Sequence, residues 1–205
     1  MEQRTDEWFK ARLGKVTASR ISDVLAAPTT AAFTNYQAQL IAERLTGEPY
    51  ESHVTAAMQW GTDTEDEARS MYEFLCSQDV QEVGFMNHPD IEHSGASPDG
   101  LVGDDGLVEI KCPQTGTHIK TFISGSIEKK YRNQMNWQMA CTGRSWCDFV
   151  SYDPRLPAEH SLCVIKFERD DEAICEMEIK VRSFLDDVED KLSQMNAMKE
   201  KKIGR

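Results

Sequence analysis

The stretch SPDGLVGDDGLVEIKCP, Ser97 to Pro113, constrains the fold more than any other part of the chain. Its centre, Gly103 to Gly106, has the glycines and short acids of a tight reversal, and the apolar runs on either side suit strands. In the second run Val108, Ile110 and Cys112 alternate with Glu109 and Lys111. On a strand this puts the apolar residues on one face and the charges on the other, so one face is core and the other is a site or solvent. Asp99 lies ten positions before Glu109. A turn between them folds the two carboxylates side by side, where they can share a metal ion.

Hard divalent ions such as Mg²⁺ take one or two carboxylates and complete their octahedron with water and phosphate oxygens. An adjacent lysine can hold or help deprotonate the attacking water and stabilise charge developing on phosphorus. Acid, acid and lysine therefore make a phosphodiesterase constellation, although the bare pattern also suits a solvent-facing hairpin with an incidental ion pair. A calcium loop is excluded by spacing. An EF-hand beginning at Asp99 would put Leu101 and Gly103 where oxygen ligands belong, and Ile110 where the bidentate Glu belongs.

The rest of the chain reads as one α/β domain, residues 1–205, with helices flanking a mixed central sheet. Thr5 caps a first helix ending at Gly14, a second helix is capped at Thr17, and a third runs from Asn35 to Gly47. A fourth covers Thr55 to about Gln78, with Trp60, Met71, Phe74 and Leu75 as core candidates and Gly61 as a break or close-packing point. Strands follow in VQEVGFM, EHSGASPDGLV and LVEIKCP, then a helix in SIEKKYRNQMNWQMACTG, strands in WCDFVSYD and HSLCVIKFERD, and a long helix from Asp170 to about Lys201.

With 205 residues, 40% of them hydrophobic and 28% charged, the chain has the composition of a folded globular protein. No run approaches the length of a membrane span and the first residues resemble no secretion signal, so the expected compartment is the cytoplasm. The six cysteines, Cys76, Cys112, Cys141, Cys147, Cys163 and Cys175, form no C-x-x-C pair and read as reduced thiols. The histidines, His53, His88, His93, His118 and His160, match no zinc pattern and read as packing or surface residues. With 23 basic against 35 acidic residues the net charge is −12, which argues against nonspecific coating of DNA. A local basic groove or bound metal can still reverse the field.

The string SPDG…LVEIKCP resembles the PD-(D/E)-x-K nuclease superfamily and, more specifically, the phage lambda-type alkaline exonucleases of viral recombination. Four further stretches carry the likeness in the same order: Trp8 to Arg20, Trp60 to Arg69, Tyr131 to Met139 and Tyr152 to Arg155. The resemblance implies a restriction-endonuclease-like core. It implies that Asp99 and Glu109 are metal carboxylates, that the Ile110 carbonyl is a further ligand, and that Lys111 is the catalytic lysine. It makes Glu65 the additional carboxylate, places Gln134 near the site, and assigns Arg12, joined by Ser19, to the 5′-phosphate of a DNA end. Taken alone, Glu65 is an acid in an acidic helix, Gln134 an ordinary helix residue, Arg12 a surface charge and Ser19 a helix-entry residue.

The implied activity is Mg²⁺-dependent 5′-to-3′ digestion of one strand of linear duplex DNA, with two ions that Mn²⁺ can replace. A homotrimeric ring, a single-strand annealing partner and a phage or prophage origin follow from the same likeness. An endonuclease of the same superfamily and a noncatalytic recombination scaffold are the rival readings. The chain departs from the family in one place: the short uncharged segment Ala27 to Asn35 stands where a longer basic loop is expected to help open the duplex.

Overall fold

In the computed structural model, which describes residues 2–50 and 55–203 and only the backbone of the last four of these, the elements come in the expected order with three corrections. Helix α1 is Asp6–Arg12, and the Thr5 side chain accepts from the Trp8 N–H at 3.3 Å. The expected second helix is instead a two-residue strand β1 (Val16–Thr17), a 3₁₀ turn (Ala18–Arg20) and a single-turn α2 (Ile21–Val24). Thr17 contacts the Ser19 hydroxyl at 3.3 Å and caps nothing. Helix α3 (Ala31–Thr46) starts four residues before Asn35, so most of the supposed loop is helix. Thr30 caps it, accepting from the Phe33 N–H, and Gly47 ends it in the left-handed conformation at φ 72°.

Helix α4 (Ala56–Cys76) runs unbroken through Gly61. It buries Thr64, Ala68 and Tyr72, a stripe at i+4 spacing, and leaves Phe74 80% and Leu75 55% exposed, so those two are not core. Strands β2 (Val80–Gln81), β3 (Met86–Asn87), β4 (Ser94–Ala96), β5 (Gly100–Val102) and β6 (Gly106–Lys111) follow. An unanticipated helix, α5 (Thr115–Ser124), precedes α6 (Lys129–Thr142), β7 (Trp146–Tyr152), the short α7 (Ala158–Ser161), β8 (Leu162–Glu168) and the long α8 (Asp171–Ile203). His53 lies outside the described residues.

The strands form a five-stranded mixed sheet, β2-β5-β6-β7-β8, and a small β1-β4-β3 sheet. Strands β5 and β6 are the expected antiparallel hairpin, with Gly100 opposite Val108, while β6 and β7 run parallel. On one face of the large sheet Val108, Ile110 and Val150 pack against Ala68 and Tyr72 of α4. On the other, Leu107, Cys147 and Phe149 pack against Met135 and Met139 of α6. The charge-bearing face of β6 is therefore core as well, not solvent, and Glu109 is fully buried in it. A third core joins α2, α3, α6 and α8 around Tyr36, Trp137 and Phe184. No disulfide forms among the described cysteines; Cys141 and Cys147 are buried and Cys175 is exposed. His88 is buried and stacked on Trp137, and His118 is buried with both ring nitrogens hydrogen-bonded, as packing histidines should be.

The hairpin tolerates no added volume at its entrance. A Cβ on Gly100 would stand 2.1 Å from Val80 Cγ1 and 3.3 Å from Val108 Cγ1, with strands on both sides. Gly100→Ala is expected to destabilise the protein by about 1–3 kcal/mol, the usual cost of overpacking, through a lower urea midpoint at unchanged slope.

Candidate active site

Three elements converge on an open cleft of about 790 Å³. Strand β6 contributes Ile110 and Lys111 to its wall, α4 contributes Trp60, Gly61 and Glu65, and α6 contributes Tyr131; Ser19, Arg4 and Arg155 complete the part that matters chemically. The expected residues Glu65, Ile110, Lys111 and Ser19 thus share one cavity.

Asp99 and Glu109 lie at the root of that wall because the hairpin register brings the start of β5 beside the end of β6. Asp99 Oδ2 accepts from the Ile110 N–H at 2.6 Å. Glu109, facing α6, is capped by donors: Lys111 Nζ and Gln134 Nε2 (2.6 Å) on one oxygen, Gln138 Nε2 (2.5 Å) on the other. Gln138 went unnoticed in the sequence, yet it sits one turn after Gln134, the spacing that puts two helix residues on one face. Burial, then the Glu109 carboxylate, pushes the Asp99 carboxyl well above the usual carboxylate range, against the pull of Lys111. Burial works against the Lys111 ammonium, but Glu109 and Asp99 outweigh it and hold it above the usual lysine range.

Glu65 is held differently. Its carboxylate takes Arg4 Nη2 at 2.5 Å and Arg69 Nη2 at 3.4 Å. Among the described residues no three His, Cys, Asp or Glu side chains form a closed metal cluster. The residues nevertheless fit a hard divalent cation at an open site. Two adjacent carboxylates, one of them raised by burial and by its neighbour, are a pair that a cation would relieve, and Mg²⁺ characteristically leaves its remaining positions to water and phosphate.

Arg12 does not line the cleft. Its guanidinium covers the Trp8 ring at 4.1 Å and donates to Ser97 Oγ at 3.4 Å, while Trp8 Nε1 donates to the same hydroxyl at 2.9 Å. Ser97 is two residues before Asp99, so Arg12 is tied to the acid strand through a hydroxyl that the sequence reading passed over. Arg155 was likewise given no role. It lines the cleft, stacked on Trp60 at 4.8 Å.

The raised Asp99 carboxyl has a stability consequence. An acid whose folded pKa lies above its unfolded value opposes folding once pH rises above the unfolded value, and the opposition is complete above the folded value. In metal-free protein, Asp99→Asn should therefore raise the melting temperature at neutral pH, and the gain should vanish below about pH 4, where the unfolded carboxylate is itself protonated. Thermal unfolding of both proteins across pH in chelator checks this.

Comparison with known proteins follows the same lines. The family model of the YqaJ-like viral recombinase domain matches residues 7–145. The crystal structure of an alkaline exonuclease, LHK-Exo from Laribacter hongkongensis, superposes with a TM-score of 0.91 at 50% identity, covering 96% of this chain and 99% of that one. The same protein in complex with dAMP gives a TM-score of 0.92 at 51% identity over the same shares. A phage-related exonuclease from Haemophilus somnus 129PT, at 16% identity and a TM-score of 0.69 over 88% of this chain and 96% of its own, shares the fold. A search of curated proteins returns no match. A family match spanning the cleft elements α4, β5, β6 and α6, with a half-identical structure along nearly the whole chain, places the protein in the YqaJ-like viral recombinase family, the lambda-type exonuclease kin that its five stretches resemble.

Proposed function

We propose that the protein is a Mg²⁺-dependent exonuclease that digests one strand of linear duplex DNA from its 5′ end, releasing mononucleotides and leaving a 3′ single strand for annealing. The observation that carries the reading is the grouping of Asp99, Glu109 and Lys111 on one hairpin, with Lys111 in the lining of the cleft, in a chain half-identical along its length to an alkaline exonuclease. That relative has been solved with dAMP, a nucleotide of the size proposed here as product.

Asp99, Glu109 and the Ile110 carbonyl would hold the metal, with Glu65 joining once its carboxylate leaves Arg4; Mn²⁺ is the expected substitute. Bound there, Mg²⁺ supplies Lewis acidity toward the scissile phosphate and lowers the pKa of an attacking water. The protein's own groups do the rest. Gln134 and Gln138 fix the Glu109 carboxylate by donating to both oxygens, so its orientation is set before substrate arrives. Lys111, held as an ammonium by the two acids, stands ready to stabilise charge on the phosphoryl oxygens. With those two acids engaged elsewhere, Lys111 would hold its proton less tightly and could assist the water. Arg12, held by Trp8 and Ser97, and the Ser19 hydroxyl are proposed to grip the terminal 5′-phosphate, the arginine through its paired donors.

The proposed assembly is a homotrimeric ring whose channel keeps DNA near an otherwise acidic protein, working in the cytoplasm with a single-strand annealing partner. Among the described residues no helix is long and apolar enough to cross a membrane.

End-labelled linear duplex tests the reading. Label should leave as mononucleotide from the 5′ end with Mg²⁺, not in chelator, and circular duplex should stay intact; cleavage of the circle would make the protein an endonuclease. Asp99→Ala and Glu109→Ala should each abolish release while folding survives. Lys111→Ala should keep DNA binding and lose about 10²–10⁴-fold in turnover. A loss below about tenfold would take Lys111 out of the chemistry.

Arg12 discriminates between kinds of end. Wild type should initiate faster on 5′-phosphate than on 5′-hydroxyl duplex, and Arg12→Ala should shrink that ratio because only the phosphorylated substrate loses a contact. Initial rates on both ends at one salt concentration decide the point: an unchanged ratio would make Arg12 a general backbone contact.

A further inference from the structure

The cleft wall carries a basic side chain that the hydrolytic residues leave unused. Among its described lining residues the cationic ones are Arg4, Lys111 and Arg155. Arg4 is taken by Glu65 and Lys111 by Glu109, both acids proposed for the metals. The partner of Arg155 is different: Asp153 is fully buried and not part of the lining.

The geometry around Arg155 is rigid. Nε donates to Asp153 Oδ1 at 2.6 Å and Nη2 to Asp153 Oδ2 at 3.1 Å, a two-pronged clamp, while Nη2 also meets the Pro113 carbonyl at 2.9 Å. Burial pushes the Asp153 carboxyl up, but the Arg155 hydrogen bonds outweigh it and hold it at about 2, so the clamp stays ionised across the working pH range. One face of the guanidinium lies on Trp60. Among the described residues Nη1 has no hydrogen-bond partner, and the side chain is 44% exposed. A guanidinium locked on one edge and one face, with its other edge free at a cleft, loses little freedom on meeting a phosphate.

Trp60 lies five residues before Glu65 on α4, about 7.5 Å along the helix axis, so the Trp60–Arg155 stack is set off from Glu65 within the same cleft. We infer that Arg155, braced by Asp153 and Trp60, binds a backbone phosphate of the digested strand one step beyond the scissile linkage, on the side away from the 5′ end. This rests on the exonuclease reading and adds to it a second grip on the strand, which holds the next linkage in line as each nucleotide leaves.

A single neutral methylphosphonate, placed in turn at the second, third and fourth linkages from a 5′-phosphate end, locates the contact. Single-turnover release of the first nucleotide by wild type should slow about tenfold to a hundredfold at one of these positions, the second being expected, which is the size of a lost hydrogen bond to a charged group. Arg155→Gln alone would strand the buried Asp153 charge, so the variant is Asp153→Asn with Arg155→Gln, its fold verified by circular dichroism and thermal melting. It should release slowly from ordinary DNA and show no further loss at the sensitive position. A wild type indifferent to all three substitutions overturns the inference without recourse to any variant. So does a double variant as sensitive as wild type, which leaves Asp153 and Arg155 as a loop clamp only. Failure of wild type to release nucleotide from unmodified linear duplex would instead sink the exonuclease reading itself, and this inference with it.

Discussion

The repulsion between Asp99 and Glu109 is the constraint around which the active cleft is organised. Two carboxylates on neighbouring strands beside an apolar core are costly, and the protein responds in different ways at each. The Asp99 carboxyl is raised by burial and by Glu109, and it accepts from the Ile110 N–H. Glu109 is surrounded by an ammonium and two amides. A buried acid this well supplied with donors is compatible with folding, and the second acid beside it gives the pair the character expected of a site for a divalent cation. The tight hairpin with Gly100 at its entrance keeps the two acids adjacent, and α6 supplies the amides.

Much of this was legible because it rests on short-range rules. The glycine-flanked acidic turn and the alternation after it specify an antiparallel hairpin with Asp99 near Glu109, and the structure has that register. Thr5 and Gly47 sit where a cap and a left-handed terminus are required. What local rules could not give is which face of an element meets which neighbour. Glu109 alternates as a surface residue should, yet α6 covers that face and makes it core. In α4 the largest apolar residues near its end, Phe74 and Leu75, lost to Thr64, Ala68 and Tyr72, because a helix lying close over a sheet favours a small residue at the contact. Tyr72 also reaches Asp148 through its hydroxyl at 2.7 Å.

Two further misses have a shared origin. Helix α5, TGTHIKTFIS, combines glycine with threonines and isoleucines, all weak helix formers, and its anchor is tertiary: His118 is buried between the Ser151 hydroxyl and the His160 carbonyl. Gln138 is an unremarkable helix residue until the second Glu109 oxygen is seen to need a donor. In both cases the decisive partner lies far along the chain, so the signal is absent from any window of sequence.

Charge raises the last question, since the proposed activity asks a protein of net charge −12 to hold a polyanion. The acids are not spread evenly. Helix α8 carries Asp186, Asp187, Glu189 and Asp190 in a single turn or so and none of them lines the cleft, whereas the cleft itself presents Arg4, Lys111 and Arg155 with Glu65 among its lining residues. At physiological ionic strength a surface charge is screened beyond about 8 Å, so acids farther than that from the cleft would do little to a strand lying in it. What a strand would meet there is local: three cations whose acidic partners are either the carboxylates proposed for the metal or the buried Asp153. With the Asp99–Glu109 pair occupied, Lys111 would be less committed to those acids and more available to a strand in the cleft, so metal loading and strand binding are expected to reinforce one another. On the proposed reading, an acidic protein can then hold a strand through the cations of its cleft without needing a basic surface elsewhere.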